Sequence, residues 1–184
     1  MMQGASENEQ LIGAARSNNE ALMESIFKDK KPEGIADLIN NVRDPVGNTL
    51  LHLAAANGAY DVIDLILDQE GVEIDPINRL QQSTPLHSAV EFAATDKVLG
   101  RAVVELLIEA GADPMPKNVR GKRAIDLAAG NNEIIQSLRG AMYAAEMQSS
   151  VGGADGPADG VVDGGDEEGD GTPSDEGEPI VEPQ

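Results

Sequence analysis

The sequence contains no cysteine among its 184 residues. A disulfide framework, a thiolate zinc site and a catalytic thiol are therefore excluded. Aromatic residues are scarce, with two tyrosines, two phenylalanines and no tryptophan, and histidine occurs only twice. Because zinc usually takes about four ligands, two histidines without cysteine do not indicate a zinc site. We therefore expect no metal and no cofactor.

Catalytic motifs and targeting segments are also missing. The sequence has no G-x-x-x-x-G-K loop, no H-E-x-x-H and no G-x-S-x-G. No apolar run approaches the roughly 20 residues that span a bilayer. The polar segment Met1–Gln10, with Glu7 and Glu9, lacks the basic and apolar regions of a secretory signal. We expect a non-catalytic protein without a membrane segment, located in the cytoplasm, the nucleus or both.

Charge is strongly unbalanced, since 33 acidic and 13 basic residues give a formal charge of −20. Residues 148–184 carry eleven of the acids and no base. Such a surface repels phosphate backbones, so direct nucleic-acid binding is not expected. The same segment has almost no large apolar residues and cannot bury enough surface to offset its ordering entropy. It is predicted to be an acidic, disordered tail rich in Gly, Asp, Glu and Pro.

A repeated motif dominates the rest of the chain. Thr84-Pro85-Leu86-His87 has a counterpart in Thr49-Leu50-Leu51-His52, and a degenerate copy follows in Arg123-Ala124-Ile125-Asp126. Each copy is followed by small apolar residues, a break and a second apolar segment. This pattern is typical of a helix-turn-helix repeat with a period near 33 residues.

The repeats divide the chain into three parts. We predict a flexible N-terminus at 1–8, a repeat domain at 9–147 and the tail at 148–184. The first and last repeats are degenerate, as expected of terminal capping units, and the last helix should extend to about Met147 and cover the end of the stack. The predicted repeats are about 9–43, 44–77, 78–116 and 117–147.

The third repeat is longer than the second. Thr84 to Leu106 spans 22 positions, whereas the equivalent Thr49 to Leu65 spans 16. Six residues are therefore added within Val90–Arg101. They either lengthen the helices or enlarge the loop between them.

The repeated motif also predicts local roles for its residues. Thr49 and Thr84 can cap the first helix of their repeats, because a threonine hydroxyl satisfies an orphan backbone donor. Pro85 would occupy the first helical position, where a missing N–H costs nothing. His52 and His87 recur at one repeat position, which favours hydrogen bonding between the threonine and the neighbouring repeat. A two-histidine metal site is the alternative.

Gly47-Asn48-Thr49, Thr84-Pro85-Leu86-His87 and Gly111-Ala112-Asp113-Pro114 resemble the ankyrin-repeat consensus. The resemblance implies an all-α, L-shaped solenoid of about four helix-turn-helix repeats with projecting hairpins. It implies recognition of proteins by the hairpin tips and the exposed face of each first helix. We therefore expect a monomeric, non-catalytic adaptor. The alternative is an escort for a highly basic client, such as a ribosomal protein or a histone, assisted by the acidic tail.

The resemblance also places candidate partner contacts on individual residues. The candidates on the three hairpin tips are Arg43, Val46 and Asn48, then Leu80, Gln81 and Gln82, then Lys117, Arg120 and Lys122. The exposed positions of the first helices would be Leu53, Ala56, Asn57, Ser88, Glu91 and Phe92. Phe92 is the strongest single candidate, because an aromatic anchor is a common interface hot spot. Alternatively, it packs the insertion onto the core.

Lys117, Arg120, Lys122 and Arg123 form the largest cluster of positive charge in the sequence. Three interpretations compete for this cluster. It is a solvated hairpin, a weak nuclear-import-like sequence, or a docking site for acidic groups. The third interpretation includes the protein's own tail, which its tether holds at high effective concentration.

Overall fold

The computed structural model describes residues 5–128 and 130–151, with side chains up to residue 148. Within these ranges the regular secondary structure is α-helical, apart from an isolated bridge between Arg43 and Thr49. The predicted all-α class is confirmed. The part of the predicted tail from residue 152 onward lies outside the described residues. The helices are α1 (Glu7–Ser17), α2 (Glu20–Phe27), α3 (Pro32–Asn41), α4 (Leu50–Asn57), α5 (Tyr60–Leu67), α6 (Pro85–Phe92), α7 (Lys97–Glu109), α8 (Ala124–Leu127) and α9 (Asn132–Val151).

The helices pack in two rows. The first helices α1, α4, α6 and α8 contact one another in chain order, and the second helices α2, α5, α7 and α9 form a parallel row behind them. The additional helix α3 packs on α4. Leucine, isoleucine, valine and alanine side chains between the rows form one continuous core, including Leu11, Leu51 and Leu86. Each helix pair therefore completes its core only by stacking on its neighbours.

The two outer helices are longer than the sequence predicted. Ser6 and Glu9 form a capping box, in which the Ser6 N–H donates to Glu9 Oε2 at 2.7 Å. This cap starts α1 at Glu7, inside the segment predicted to be flexible. At the other end α9 runs past Met147 to Val151, because its last turn contains neither glycine nor proline.

The insertion in the third repeat enlarges both the loop and the second helix. The connection between paired helices grows from residues 58–59 in the second repeat to residues 93–96 in the third. The second helix grows from 8 residues in α5 to 13 in α7. Asp96 caps α7 by accepting the N–H groups of Val98 and Leu99, each at 3.0 Å.

Gly100 allows α7 to approach the end of α6 closely. A Cβ atom at this buried glycine would lie 2.4 Å from the Ala93 Cα atom. Real Cβ atoms essentially never come so near, and backbone cannot move aside as a flexible side chain can. In contrast, a Cβ at the exposed Gly13 of α1 would meet nothing within 4 Å.

We therefore expect Gly100→Ala to lower the free energy of unfolding by about 1–3 kcal/mol, the usual cost of overpacking. The matched change Gly13→Ala should raise it by up to about 1 kcal/mol, because alanine is the better helix former. Urea denaturation followed by circular dichroism measures both values. Equal stability of the two variants would contradict the close helix approach.

Candidate protein-binding surface

Three hairpins project from the starts of the first helices. Each begins with a buried residue, which is Asp44 in the first hairpin, Asn78 in the second and Asn118 in the third. The backbone N–H of this residue donates to the carbonyl oxygen that closes the hairpin, with N–O distances of 2.9–3.1 Å. The side-chain Oδ1 atom of the same residue accepts two backbone N–H groups inside the hairpin, which fixes the turn. The closing carbonyls belong to Asn48, Ser83 and Lys122.

The histidine of each motif links its own helix to the next hairpin. His52 Nε2 lies 2.7 Å from the Ser83 carbonyl, and His87 Nε2 lies 3.0 Å from the Lys122 carbonyl. These two carbonyls are the same ones that close the hairpins. The same carbonyl oxygen therefore accepts both the hydrogen bond that closes the hairpin and the hydrogen bond from the histidine of the preceding repeat.

The other ring nitrogen organises the start of the helix. His52 Nδ1 accepts the Thr49 N–H at 3.4 Å and lies 2.9 Å from the threonine hydroxyl. His87 makes the same two contacts with Thr84, at 3.2 and 2.9 Å. Both threonines are N-caps in a capping box with their histidine. Since Nδ1 accepts, the ring proton lies on Nε2 and is donated to the next hairpin.

Burial keeps both histidines neutral. It lowers the pKa of His52 to about 4, a shift that the nearby Ser83 carbonyl only partly opposes. Burial also lowers the pKa of His87. Both rings use their two nitrogens in hydrogen bonds. Across residues 5–128 and 130–151, no group of three or more His, Cys, Asp or Glu residues is placed to hold a metal ion.

Aliphatic side chains are exposed along the hairpins. The predicted contacts Val46 and Leu80 are 43% and 67% exposed. Ile77 and Val119, which the sequence analysis did not identify, are 55% and 56% exposed. Leu80, Gln81 and Gln82 form the exposed tip of the second hairpin, where Gln82 adopts a φ of 51°.

Two predicted contact residues hold the hairpins together instead of projecting freely. Half-buried Arg43 donates from Nη1 to the carbonyls of Gly47 at 3.2 Å and Ile77 at 3.4 Å. Half-buried Asn48 accepts from Asn78 Nδ2 at 2.9 Å. Both interactions bridge the first and second hairpins.

The basic residues differ in their surroundings. Lys117 and Lys122 are exposed, and Arg120 forms an ion pair with Glu91 of α6 at 3.3 Å. Arg79, another residue that the sequence analysis missed, lies over the first hairpin. A Cβ atom at Gly47 would come within 2.7 Å of the Arg79 side chain, and Gly47 has a φ of +90°.

The predicted first-helix face is only partly available. Ala56 and Asn57 are exposed and Ser88 is half-buried. Leu53 is 5% exposed, so its predicted exposure was wrong, because α4 is enclosed by α1 and α6. Phe92 is half-buried, and its ring occupies the space where a Gly58 Cβ would lie. This packing favours the alternative in which Phe92 fixes the insertion to the core.

We define the hairpin edge as residues 43–49, 76–84 and 115–123. It contains six of the 13 basic residues of the chain and one of its 33 acids, Asp44. Asp44 is buried, which alone would raise its pKa, but hydrogen bonds from Asn48 and Val46 and the charge of Arg16 lower the pKa overall. The hairpin edge therefore combines exposed aliphatic groups with positive charge.

Two rows of stacked helix pairs with projecting hairpins define an ankyrin-type solenoid. A family model of ankyrin repeats, in three copies, matches residues 11–118, and the chain belongs to the ankyrin-repeat family. The match ends before α8 and α9, in agreement with a degenerate last repeat. In the part of the chain that the structure describes, no helix is long and apolar enough to cross a membrane.

Several known sequences share this similarity. The chain is 43% identical to the ankyrin repeat-containing protein YGL242C of Saccharomyces cerevisiae over 155 residues, which cover 82% of this chain and 86% of that protein. It is 38% identical to the human B-cell lymphoma 3 protein over 88 residues, or 46% of this chain and 18% of that one. It is also 36% identical to alpha-latrocrustotoxin-Lt1a of Latrodectus tredecimguttatus over 95 residues, which cover 50% of this chain and 6% of that protein.

The buried histidines predict a pH-dependent stability. The folded pKa of His52, about 4, lies below its ordinary value of 6.5, so the unfolded state binds the proton more strongly. The contribution of neutral His52 is complete above pH 6.5 and is lost as the pH falls from 6.5 to 4, by about 3 kcal/mol.

We expect the free energy of unfolding of the wild-type protein to fall more steeply over this pH interval than that of His52→Gln. The carboxylates titrate in both proteins, so the difference in slope isolates the histidine. Urea titrations at several pH values give the two slopes. Parallel pH profiles would show that burial of His52 does not suppress its protonation.

Proposed function

We propose that this protein is a non-catalytic adaptor that binds a partner protein through the hairpin edge and the exposed part of the adjoining first helices. Ankyrin repeats generally mediate protein–protein interaction. The observation that supports this site is the exposure of Val46, Ile77, Leu80 and Val119 on consecutive hairpins. Exposed aliphatic groups held on a rigid scaffold are typical of a binding surface.

The construction of the hairpins supports the same proposal. Each hairpin is closed internally and is also bonded to a neighbouring repeat, as by the bond from the Val119 N–H to the Gln81 carbonyl at 2.8 Å. A surface that is already ordered loses little conformational entropy when a partner binds. The hairpin edge can therefore give useful affinity from a modest contact area.

The second candidate is an escort for a highly basic client. The observation in its favour is the segment 148–184, with its eleven acids and no base. Acidic residues would speed encounter with such a client and suppress its aggregation. The basic hairpin edge would repel the same client, so an escort would use other surfaces of the molecule.

Substitution of the aliphatic tips tests the adaptor function. We expect Ile77→Ser/Leu80→Ser to weaken binding of the partner by about tenfold or more, because buried interface anchors carry much of the binding energy. Affinity purification with the full-length chain, followed by mass spectrometry, compares proteins retained by the wild type and by the variant. Val98→Ser is the matched control, since Val98 is 83% exposed but lies on α7, outside the hairpin edge.

The outcomes separate the two candidates. Proteins retained by the wild type and the control but lost from the double variant support the adaptor. Retention of highly basic proteins by all three, with release by moderate salt, favours the escort because exposed charges are screened. If the retained proteins are lost only from the Val98 variant, the hairpin edge is not the binding surface.

A further inference from the structure

We propose that the hairpin edge selects an extended, acidic segment of its partner protein, although the chain itself carries a formal charge of −20. This inference rests on the proposed adaptor function and specifies the chemistry of the partner. The overall charge would suggest a basic partner. The distribution of charge over the surface leads to the opposite conclusion for this site.

The positive charges of the hairpin edge are only partly neutralised within the molecule. Arg120 pairs with Glu91, and Arg123 lies 3.6 Å from Asp126. Arg79, Lys117 and Lys122 are exposed and form no ion pair within residues 5–128 and 130–148. These three cations remain available to carboxylates from outside.

The single acid of the hairpin edge does not counter them. Asp44 is 7% exposed, and its carboxylate accepts the backbone N–H groups of Val46 and Asn48, each at 2.9 Å. It also accepts from Asn48 Nδ2 at 3.2 Å and from Arg16 at 3.3 Å. All of its acceptor capacity is directed inward, so it presents little negative charge to a bound segment.

The acidic surface on and after α5 directs an acidic ligand to the same place. Between Asp44 and Asn78 the chain contains no lysine or arginine. That interval instead carries a row of exposed carboxylates on and after α5, namely Asp61, Asp64, Asp68, Glu70 and Glu73. An acidic segment is repelled by this surface and attracted to the hairpin edge, because potentials of opposite sign steer encounter and suppress incorrect orientations.

Aliphatic residues define the remaining chemistry of the partner segment. Val46, Leu80 and Val119 lie on successive hairpins, beside the cations. Packed helices are about 8–10 Å apart, and a polyproline-II chain, in which every third side chain lies on the same face, covers about 9 Å in three residues. A segment with an acidic residue at every third position and aliphatic residues between matches this spacing. The hairpin edge has no aromatic residue on which nucleic-acid bases could stack.

An NMR titration of the full-length, 15N-labelled protein tests the proposal. The probe is a peptide of about 12 residues, which in the polyproline-II conformation would span about 37 Å, with glutamate at every third position and valine and serine between. Its controls are the same peptide with lysine for glutamate, and a shuffled peptide with the glutamates together. We expect the acidic peptide to shift the amide signals of Leu80, Val119 and Gly121, and the lysine peptide to leave them unchanged.

A matched pair of variants separates local from overall charge. Arg79→Gln/Lys117→Gln/Lys122→Gln should weaken binding of the acidic peptide by about tenfold, because each exposed ion pair contributes little alone. Lys28→Gln/Lys31→Gln/Lys97→Gln makes the same change in net charge at exposed bases outside the hairpin edge and should change the affinity less than about twofold.

Each contrary result has a distinct meaning. Stronger binding of the lysine peptide at the hairpin edge, or equal weakening by both triple variants, would overturn the acidic preference and leave the adaptor function intact. Equal shifts from a single-stranded DNA of the same charge would overturn the preference for a protein segment. No shift from any probe would also overturn this inference, whereas the adaptor function fails only if the Ile77 and Leu80 variant retains every partner.

Discussion

The structure depends on one buried hydrogen bond that recurs between repeats, from the Nε2 atom of a histidine to the carbonyl that closes the next hairpin. Because the other ring nitrogen accepts from the threonine that caps the helix, each imidazole connects a helix start to a neighbouring hairpin. Acceptance at Nδ1 requires a neutral ring, and burial supplies this condition by lowering the pKa of His52 and His87. The same network of histidine hydrogen bonds therefore stabilises the stacking of the repeats, the helix caps and the order of the hairpins.

The functional consequence is a surface whose chemistry differs from that of the whole chain. The network fixes the hairpins in a row, so their tips need not bury apolar groups to stay ordered. Aliphatic side chains at Val46, Leu80 and Val119 can remain in solvent, and acids pair with only part of the adjoining positive charge. A strongly acidic protein can thus present a locally basic and apolar edge whose groups are already in position.

Much of the fold was predictable from sequence, because the same pattern of residues recurs in several repeats. The threonine and histidine positions and the alanine-rich first helices recur at regular spacing. The exposure of Ile77 and Val119 and the position of Arg79 were missed, since they depend on the conformation of irregular hairpins. The sequence left open whether Phe92 contacts a partner or packs the insertion, because its packing partner, Gly58, belongs to the preceding repeat. Local patterns do not show contacts between units.

We propose above that the partner is held at the hairpin edge. The most direct test of this proposal is site-specific photo-crosslinking, with a photo-reactive amino acid placed either at the position of Leu80 or at that of Val98 in the full-length protein. Both side chains are highly exposed, but Leu80 lies on the hairpin edge and Val98 on α7. We expect a covalent adduct with a partner from the first position and none from the second. Adducts from the Val98 position alone would contradict it.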